Sequence, residues 1–302
     1  MIPVKLKNKK IGVLYGGTSS ERSVSLKSGK AVLAALKKLK LNACGIDVTN
    51  NVAETIKKSK IDIACIVLHG SWGENGAIQG LLEIMGIPYT GCGVFASAAS
   101  MDKILSKRFF NGAKILTPAW VTIKKFEPVP EIKKFPVVVK PARQGSAVGV
   151  SIVKTRKYFA KAAKKAFKYD DEILVERFIK GTEITVGVLD GKALPVVEII
   201  PKGEFYDYNS KYAKGGSKHI IPARISKKSY KAAQAAAEKV FKTLNCRANC
   251  RVDFIVDKSG KVWALENNTL PGMTETSLIP DEARAAGIEF PELILKILEC
   301  SL

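Results

Sequence analysis

Read from its start, the chain places an almost unbroken apolar run at residues 10–16, which stops at Gly16-Gly17-Thr18-Ser19-Ser20. Behind that turn, Val24, Leu26, Val32, Leu33, Leu36 and Leu39 recur at roughly helical spacing, so a strand, a Gly/Ser turn and a helix are predicted. Two further apolar strands are predicted at 43–48 and 61–68. The second runs into the glycine-rich loop His69-Gly70-Ser71-Trp72-Gly73-Glu74-Asn75-Gly76, with a helix over 77–85 behind it. Strands alternating with helices predict a parallel sheet covered on both faces. Ligands of such sheets collect beyond the carboxyl ends of the strands, so the loops at 16–21 and 69–76 are expected to face one crevice.

The pattern changes after a small-residue stretch at 91–101. Asp102 is placed to cap a helix running to about Ala113. A strand pair is predicted at 119–123 and 137–141, followed by Ala142-Arg143-Gln144-Gly145-Ser146-Ala147-Val148-Gly149. A lysine ending an apolar strand, Lys140, beside a Gly-Ser loop suits a phosphate, with backbone amides as further donors. An ordinary connection carrying a surface lysine fits the same residues. A lysine-rich amphipathic helix at 154–169 leads to a strand at 173–177, then to strands at 183–188 and 193–199 joined by a tight Asp190-Gly191 turn. Residues 205–221 are polar and carry aromatics without periodicity, and their length argues for a functional loop or lid. A helix over 227–244 precedes the hairpin, and helices starting at Glu282 and Pro291 close the chain.

The hairpin consists of two alternating runs, RVDFIVD from Arg251 and KVWALEN from Lys261, separated by Lys258-Ser259-Gly260. With Ser259-Gly260 as a two-residue loop, paired residue numbers sum to 519, so Asp253 opposes Glu266 and Arg251 opposes Asn268. Side chains alternate along each strand, and these four share one face. The other face then carries Val252, Phe254, Val256, Trp263 and Leu265. Two carboxylates and an amide oxygen suit a hard divalent cation such as Mg²⁺, and a neighbouring guanidinium suits developing negative charge. A half-solvated amphipathic hairpin explains the pattern as well.

Composition narrows the class. At 302 residues the chain predicts two or three domains, with no apolar run near the ~20 residues of a membrane span and no signal-peptide pattern at its start. A cytoplasmic location is the expectation. Six scattered cysteines without a CxxC pair, and only two histidines, argue against zinc and for a reducing compartment. Lys and Arg outnumber Asp and Glu by 49 to 28, a formal charge of +21. The lysines are spread along helix faces and loops without interleaved aromatics, so no nucleic acid is expected as a partner.

Nine blocks in order, GGTSSERSVSL, HGSWGENGAIQG, GIPYTG, MDK, VVVKPARQGSAVGVS, LVERFIKGTEITV, YDYNSKY, CRVDF and LENNTLPGMT, resemble the D-alanine–D-alanine ligases of the ATP-grasp superfamily, over residues 11–300. The resemblance implies an α/β and α+β chain: an N-terminal parallel α/β domain (1–95), then a two-part ATP-grasp fold with antiparallel sheets, divided into a central part (96–180) and a C-terminal part with the metal site (181–302). It implies ATP-dependent joining of two D-alanines through an acyl phosphate for peptidoglycan synthesis, with two Mg²⁺ (or Mn²⁺) and a homodimer. On this resemblance Asp253, Glu266 and Asn268 are metal ligands and Arg251 stabilises the oxyanion. Lys103 and Lys140 hold ATP phosphates, Lys211 reaches the γ-phosphate, Glu176 and Arg177 flank the adenine, and Glu183 takes the ribose hydroxyls. Glu21 accepts the ammonium of the first D-alanine, His69 lies near it, and Ser277 binds the carboxylate of the second. Ser146 and Tyr212 couple the long loop to Glu21, and Gly272 offers a backbone amide to the tetrahedral intermediate. Departures from the pattern are Asn75, Gln144, Ala147 and Asn267, the last pointed away from the metals by the register. Ligases using D-lactate or D-serine as second substrate are the alternative reading.

Overall fold

A computed structural model describes residues 3–201, 216–274 and 277–302. Strands β1 (Ile11–Gly16), β2 (Ala43–Val48) and β3 (Ile63–Ile66) form a parallel sheet in the order β2-β1-β3. β1 is apolar almost throughout because it is the middle strand, covered on both faces. Helix α1 (Arg22–Lys38) and the last helix of the chain close one face around Val32, Leu36, Leu293 and Leu298, while α2 (Val52–Ser59) and α3 (Ala77–Ile84) close the other around Leu14, Ile56 and Leu82. Each such buried Leu or Ile contributes about 1.5–3 kcal/mol. α1 approaches β1 closely, since a Cβ on Gly29 would lie 2.4 Å from the Tyr15 ring. Ser25 fastens the two, its hydroxyl donating to Val67 O at 2.6 Å and accepting from Gly16 N at 2.9 Å.

The small-residue stretch forms α4 (Val94–Met101), which abuts α5 (Lys103–Gly112). Asp102 caps α5 as predicted, accepting from the amides of Ile104 and Leu105. β4 (Trp120–Lys124) and β5 (Val137–Pro141) are not neighbours, contrary to the expected pair. β7 (Glu172–Arg177) lies between them and β6 (Ser151–Val153) edges β5, giving the order β4-β7-β5-β6. Adjacency in sequence did not carry over because β7 supplies Val175, which joins Ile123 and Val139 in one core. Helix α6 (Phe159–Ala166) is shorter than the expected 154–169 and is preceded by a 3₁₀ turn.

The third sheet runs β11-β10-β8-β12-β13, with β9 on β8, from β8 (Gly181–Leu189), β9 (Lys192–Ala193), β10 (Val197–Pro201), β11 (Ser217–Ile220), β12 (Asn249–Asp257) and β13 (Val262–Asn268). The Asp190-Gly191 turn pairs Leu189 with Lys192, both central residues having positive φ as a type I′ turn requires. The expected strand at 193–199 is broken into β9 and β10. The end of the expected loop at 205–221 is strand β11, and residues 202–215 lie outside the described residues. Helix α7 (Lys227–Thr243) and α4–α5 cover the apolar face around Phe110, Val240 and Phe254. α8 (Leu278–Ala285) starts four residues before the expected Glu282, and α9 (Phe290–Ser301) carries Pro291 in its first turn. Among the described residues no helix is long and apolar enough to cross a membrane.

Candidate active site

The β12–β13 hairpin keeps the expected pairing where the chemistry lies and loses it at the turn. Arg251 opposes Asn268 and Asp253 opposes Glu266, but Phe254 opposes Ala264 and Val256 opposes Val262. The turn has three residues rather than two: Asp257 and Lys261 pair backbone to backbone around Lys258-Ser259-Gly260, and Gly260 has φ +80°. A bulge at Leu265 restores the register. Trp263 and Leu265 therefore leave the core face assigned to them. Trp263 Nε1 donates to Asp257 Oδ2 at 2.8 Å, Leu265 lines a cavity beside Glu266, and Val262 and Ala264 take the core positions.

Two cavities meet over this hairpin. One, of about 490 Å³, is lined by Glu21, His69, Ser146, Arg251, Gly272 and Ser277, and Asn268 also faces it. The other, of about 170 Å³, lies between the two antiparallel sheets and is lined by Lys140, Glu176, Arg177, Glu183, Ile255 and Leu265. Asp253 faces the second, and Lys103 and Glu266 line both. The residues singled out in sequence thus converge on one pair of chambers; Lys211 and Tyr212 lie outside the described residues.

Secondary structure explains the placement. Glu21 is the residue before α1, 6 % exposed, and its Oε1 accepts from Ser146 Oγ at 2.5 Å. Ser146 and Ala147 both have positive φ (50° and 58°), a conformation costing a non-glycine residue roughly 1–2 kcal/mol. Lys103 holds that loop by donating to Gln144 O at 2.6 Å. His69 ends the run begun by β3; its Nδ1 stands 3.6 Å from Glu74 and its Nε2 3.4 Å from Ser28 Oγ. Asn75 Oδ1 accepts from Ala77 N, at 3.1 Å, at the start of α3. Ser277 is the residue before α8, and its Oγ accepts from Thr274 N at 3.0 Å.

Several charges of the site are paired. Arg251 binds Asp253 through two bonds, Nε to Oδ1 at 2.9 Å and its terminal nitrogen to Oδ2 at 3.0 Å, and Thr185 Oγ1 donates to the same Oδ1 at 2.6 Å. Lys103 Nζ stands 3.4 Å from Glu266. Asp253, Glu266 and Asn268 offer oxygen donors of the kind that Mg²⁺ or Mn²⁺ prefers, the two carboxylates sharing a sheet face, while Asn268 Oδ1 accepts from Leu270 N at 3.0 Å. Arg251 and Lys103 supply positive charge to those carboxylates. Asn267 points the other way, as its register requires, and donates to Ser100 Oγ at 2.8 Å.

Glu176 is buried between Lys140 and Lys107, at 2.5 and 2.8 Å. Burial opposes its ionisation, but the two ammonium groups outweigh that and hold its carboxyl below the ordinary range. Lys107, Thr185 and Glu282 were not foreseen. Lys107 follows Lys103 by one helical turn, and the one signal for its burial was Ile104 and Phe110 at helical spacing around it. Glu282 of α8 is fully buried, accepts from Gly187 N at 2.9 Å, and occupies the space a Cβ at Gly187 would need. Burial pushes its carboxyl up to about 8.

The chain is similar to known proteins over nearly its whole length. The family model described as the D-ala D-ala ligase C-terminus matches residues 113–299, and that for the N-terminus matches residues 48–92. A D-alanine–D-alanine ligase of Citrifermentans bemidjiense is 50 % identical over 297 residues, covering 98 % of this chain and 97 % of the relative. The crystal structure of a D-alanine–D-alanine ligase from Bacillus anthracis complexed with ATP superposes with a TM-score of 0.86 at 36 % identity, covering 97 % of each chain. The VanG D-Ala:D-Ser ligase of Enterococcus faecalis gives 0.84 at 29 % identity, covering 98 % of this chain and all of that one.

Proposed function

The chain belongs to the D-alanine–D-alanine ligase family, and from that premise we propose that it joins two D-alanines to D-alanyl-D-alanine at the expense of ATP, for peptidoglycan synthesis. The observation that carries this reading is the shared wall of the two cavities. Lys103 and Glu266 face both, so a phosphoryl donor in the inter-sheet chamber reaches an amino acid held beside Glu21. D-Alanine is favoured over D-serine or D-lactate as second substrate because the half-identical relatives carry the D-alanine name, whereas the D-serine ligase is the more distant. The proposal includes the domain division 1–95, 96–180 and 181–302, a homodimer and a cytoplasmic location.

A carboxylate resists attack by an amine, so it must first be activated. Glu21 receives the ammonium of the first D-alanine, with His69 alongside, and aims its carboxylate at the γ-phosphate. The carboxylate oxygen bonds to phosphorus as the bond to ADP breaks. Lys103 and Lys140 hold phosphate oxygens, and Glu176, neutralised by two lysines, borders the adenine end with Arg177 while Glu183 takes the ribose. Asp253, Glu266 and Asn268 would hold Mg²⁺, which neutralises phosphate charge and aligns the transferring group. The amine of the second D-alanine, its carboxylate on Ser277, then attacks the acyl carbon. Arg251 and the Gly272 amide receive the negative charge of the tetrahedral intermediate, and inorganic phosphate leaves with the proton that the attacking amine gives up. Lys211 and Tyr212 belong to the same proposal as the γ-phosphate contact and the partner of Ser146.

The test is product mass after incubation with ATP, Mg²⁺ and D-alanine, then with D-serine or D-lactate added. Dipeptide from D-alanine alone is expected, and its absence rejects the reading. Asp253→Ala is expected to lower turnover at least about a thousandfold; near-normal activity removes the metal assignment.

A further inference from the structure

Only two histidines are present, and the second has no role in the reaction outlined above. His219 sits on β11, and the register places it on the ligand face of the sheet. Asp253 opposes Thr185, Thr185 opposes Val197, and Ile199, two residues further on, opposes His219. It lines the larger cavity, together with Ser277. Its Nδ1 stands 3.1 Å from Asp281 Oδ2, and Ser217 Oγ stands 3.3 Å from its Nε2.

Asp281 follows Ser277 by four residues, and its amide bonds to the Ser277 carbonyl. Residues so spaced lie on one stripe of a helix, about 5–6 Å apart between Cβ atoms. An imidazole held by Asp281 is therefore next to whatever Ser277 binds. Two strands, β10 and β8, lie between β11 and β12 with its Arg251, three spacings of roughly 4.8 Å each. His219 thus lies at the end of the cavity away from the phosphoryl chemistry. The charged groups around the ring are Asp281 and Arg284 of α8, the latter 2.9 Å from Asp281, while Lys27 of α1 also lines the cavity.

We propose that His219, oriented by Asp281, is a specificity-determining contact for the carboxylate of the second amino acid, standing in the same cavity as Ser277. This rests on the ligase reading given above. With Nδ1–H donating to Asp281, the imidazolium form carries a second N–H at Nε2, beside Ser217 Oγ at 3.3 Å, and that N–H makes a charge-assisted bond to a substrate carboxylate in place of the serine contact. The prediction is selectivity for acceptors that end in a free carboxylate.

D-Alaninamide tests this directly, because without a carboxylate it can only accept. The wild type is offered equal D-alanine and D-alaninamide with ATP and Mg²⁺, and dipeptide and dipeptide amide are separated by mass. In His219→Ala the ratio of dipeptide to amide is expected to fall at least about tenfold, with the KM values for ATP and the first D-alanine unchanged. Asp281→Asn, which keeps the imidazole but loosens its anchor, is expected to shift the ratio the same way by less. It serves as the readout if the alanine variant does not fold. Slower turnover with an unchanged ratio means that the pair merely straps β11 to α8, and overturns the proposal, as does an equal rise in KM for the first D-alanine. A wild type that makes neither product overturns the ligase reading and this assignment with it; a wild type that makes both with no preference overturns this assignment alone.

Discussion

The hydroxyl of Ser146 donates to Glu21 Oε1 across 125 residues of sequence, linking the loop after β5 to the start of α1. One partner belongs to the antiparallel part of the chain and the other to the parallel sheet, so the bond forms only when the two are in place. A hydrogen bond to a charged group contributes about 1.5–3 kcal/mol. Ser146→Ala is expected to lower kcat/KM for the first D-alanine roughly ten- to hundredfold while leaving the KM for ATP unchanged. Steady-state kinetics with each substrate varied in turn reads this.

The bulge at Leu265 brings Glu266 into register with Asp253. Deleting Leu265 removes the extra residue, so Ala264 and Glu266 become consecutive opposite Phe254 and Asp253, and no side chain changes face. Glu266 and Asn268 keep the cavity face, and Asn267 the core. Activity of the deletion variant is expected to stay within about a hundredfold of the wild type, and that of Leu265→Val within about tenfold. A loss of about a thousandfold on deletion alone would show that the bulge does more than correct the register.

Lys107 has no accessible side-chain surface and shares Glu176 with Lys140; its Nζ also bonds to Thr117 Oγ1 at 2.7 Å. Removing one member of a buried ion pair costs about 3–5 kcal/mol. Lys107→Met is expected at the lower end, since Lys140 still neutralises Glu176. Denaturant unfolding followed by circular dichroism measures it.

Glu282 gives a pH dependence with a definite sign. Its carboxyl titrates near 8 in the fold against an ordinary 4.5. Below pH 4.5 both states hold the proton and the residue costs nothing. As pH rises from 4.5 towards 8 the unfolded chain ionises first, so the folded state loses relative stability. Glu282→Gln is expected to match the wild type near pH 4.5 and to exceed it by roughly 4 kcal/mol at pH 8. Thermal melts across that range, without added metal, follow the widening gap. A gap independent of pH refutes the assignment.

Much of the site was legible before any coordinates. The apolar run at 10–16 had to be a buried strand, the Asp102 cap sits where a helix starts, and period-two alternation put Arg251 and Asp253 on one face, with Glu266 and Asn268 on one face of the next strand; their pairing was reached through an assumed two-residue turn. These are local patterns, and the physics that sets them acts over a few residues. The three-residue turn at Lys258-Ser259-Gly260 and the compensating bulge were not legible. Two one-residue errors of opposite sense cancel at the site, and alternation alone cannot register either. The placement of β7 between β4 and β5 was decided by which strands bury Ile123, Val139 and Val175 together. Lys107, Thr185 and Glu282 looked ordinary in sequence, since a lysine on a helix or a threonine in a strand is usually solvated. Tertiary packing removes water from them, and only then must each find a partner: Glu176 for Lys107, Asp253 for Thr185, the Gly187 amide for Glu282. Sequence alone picked out the candidate groups that line the two cavities; burial decided which others hold them in place.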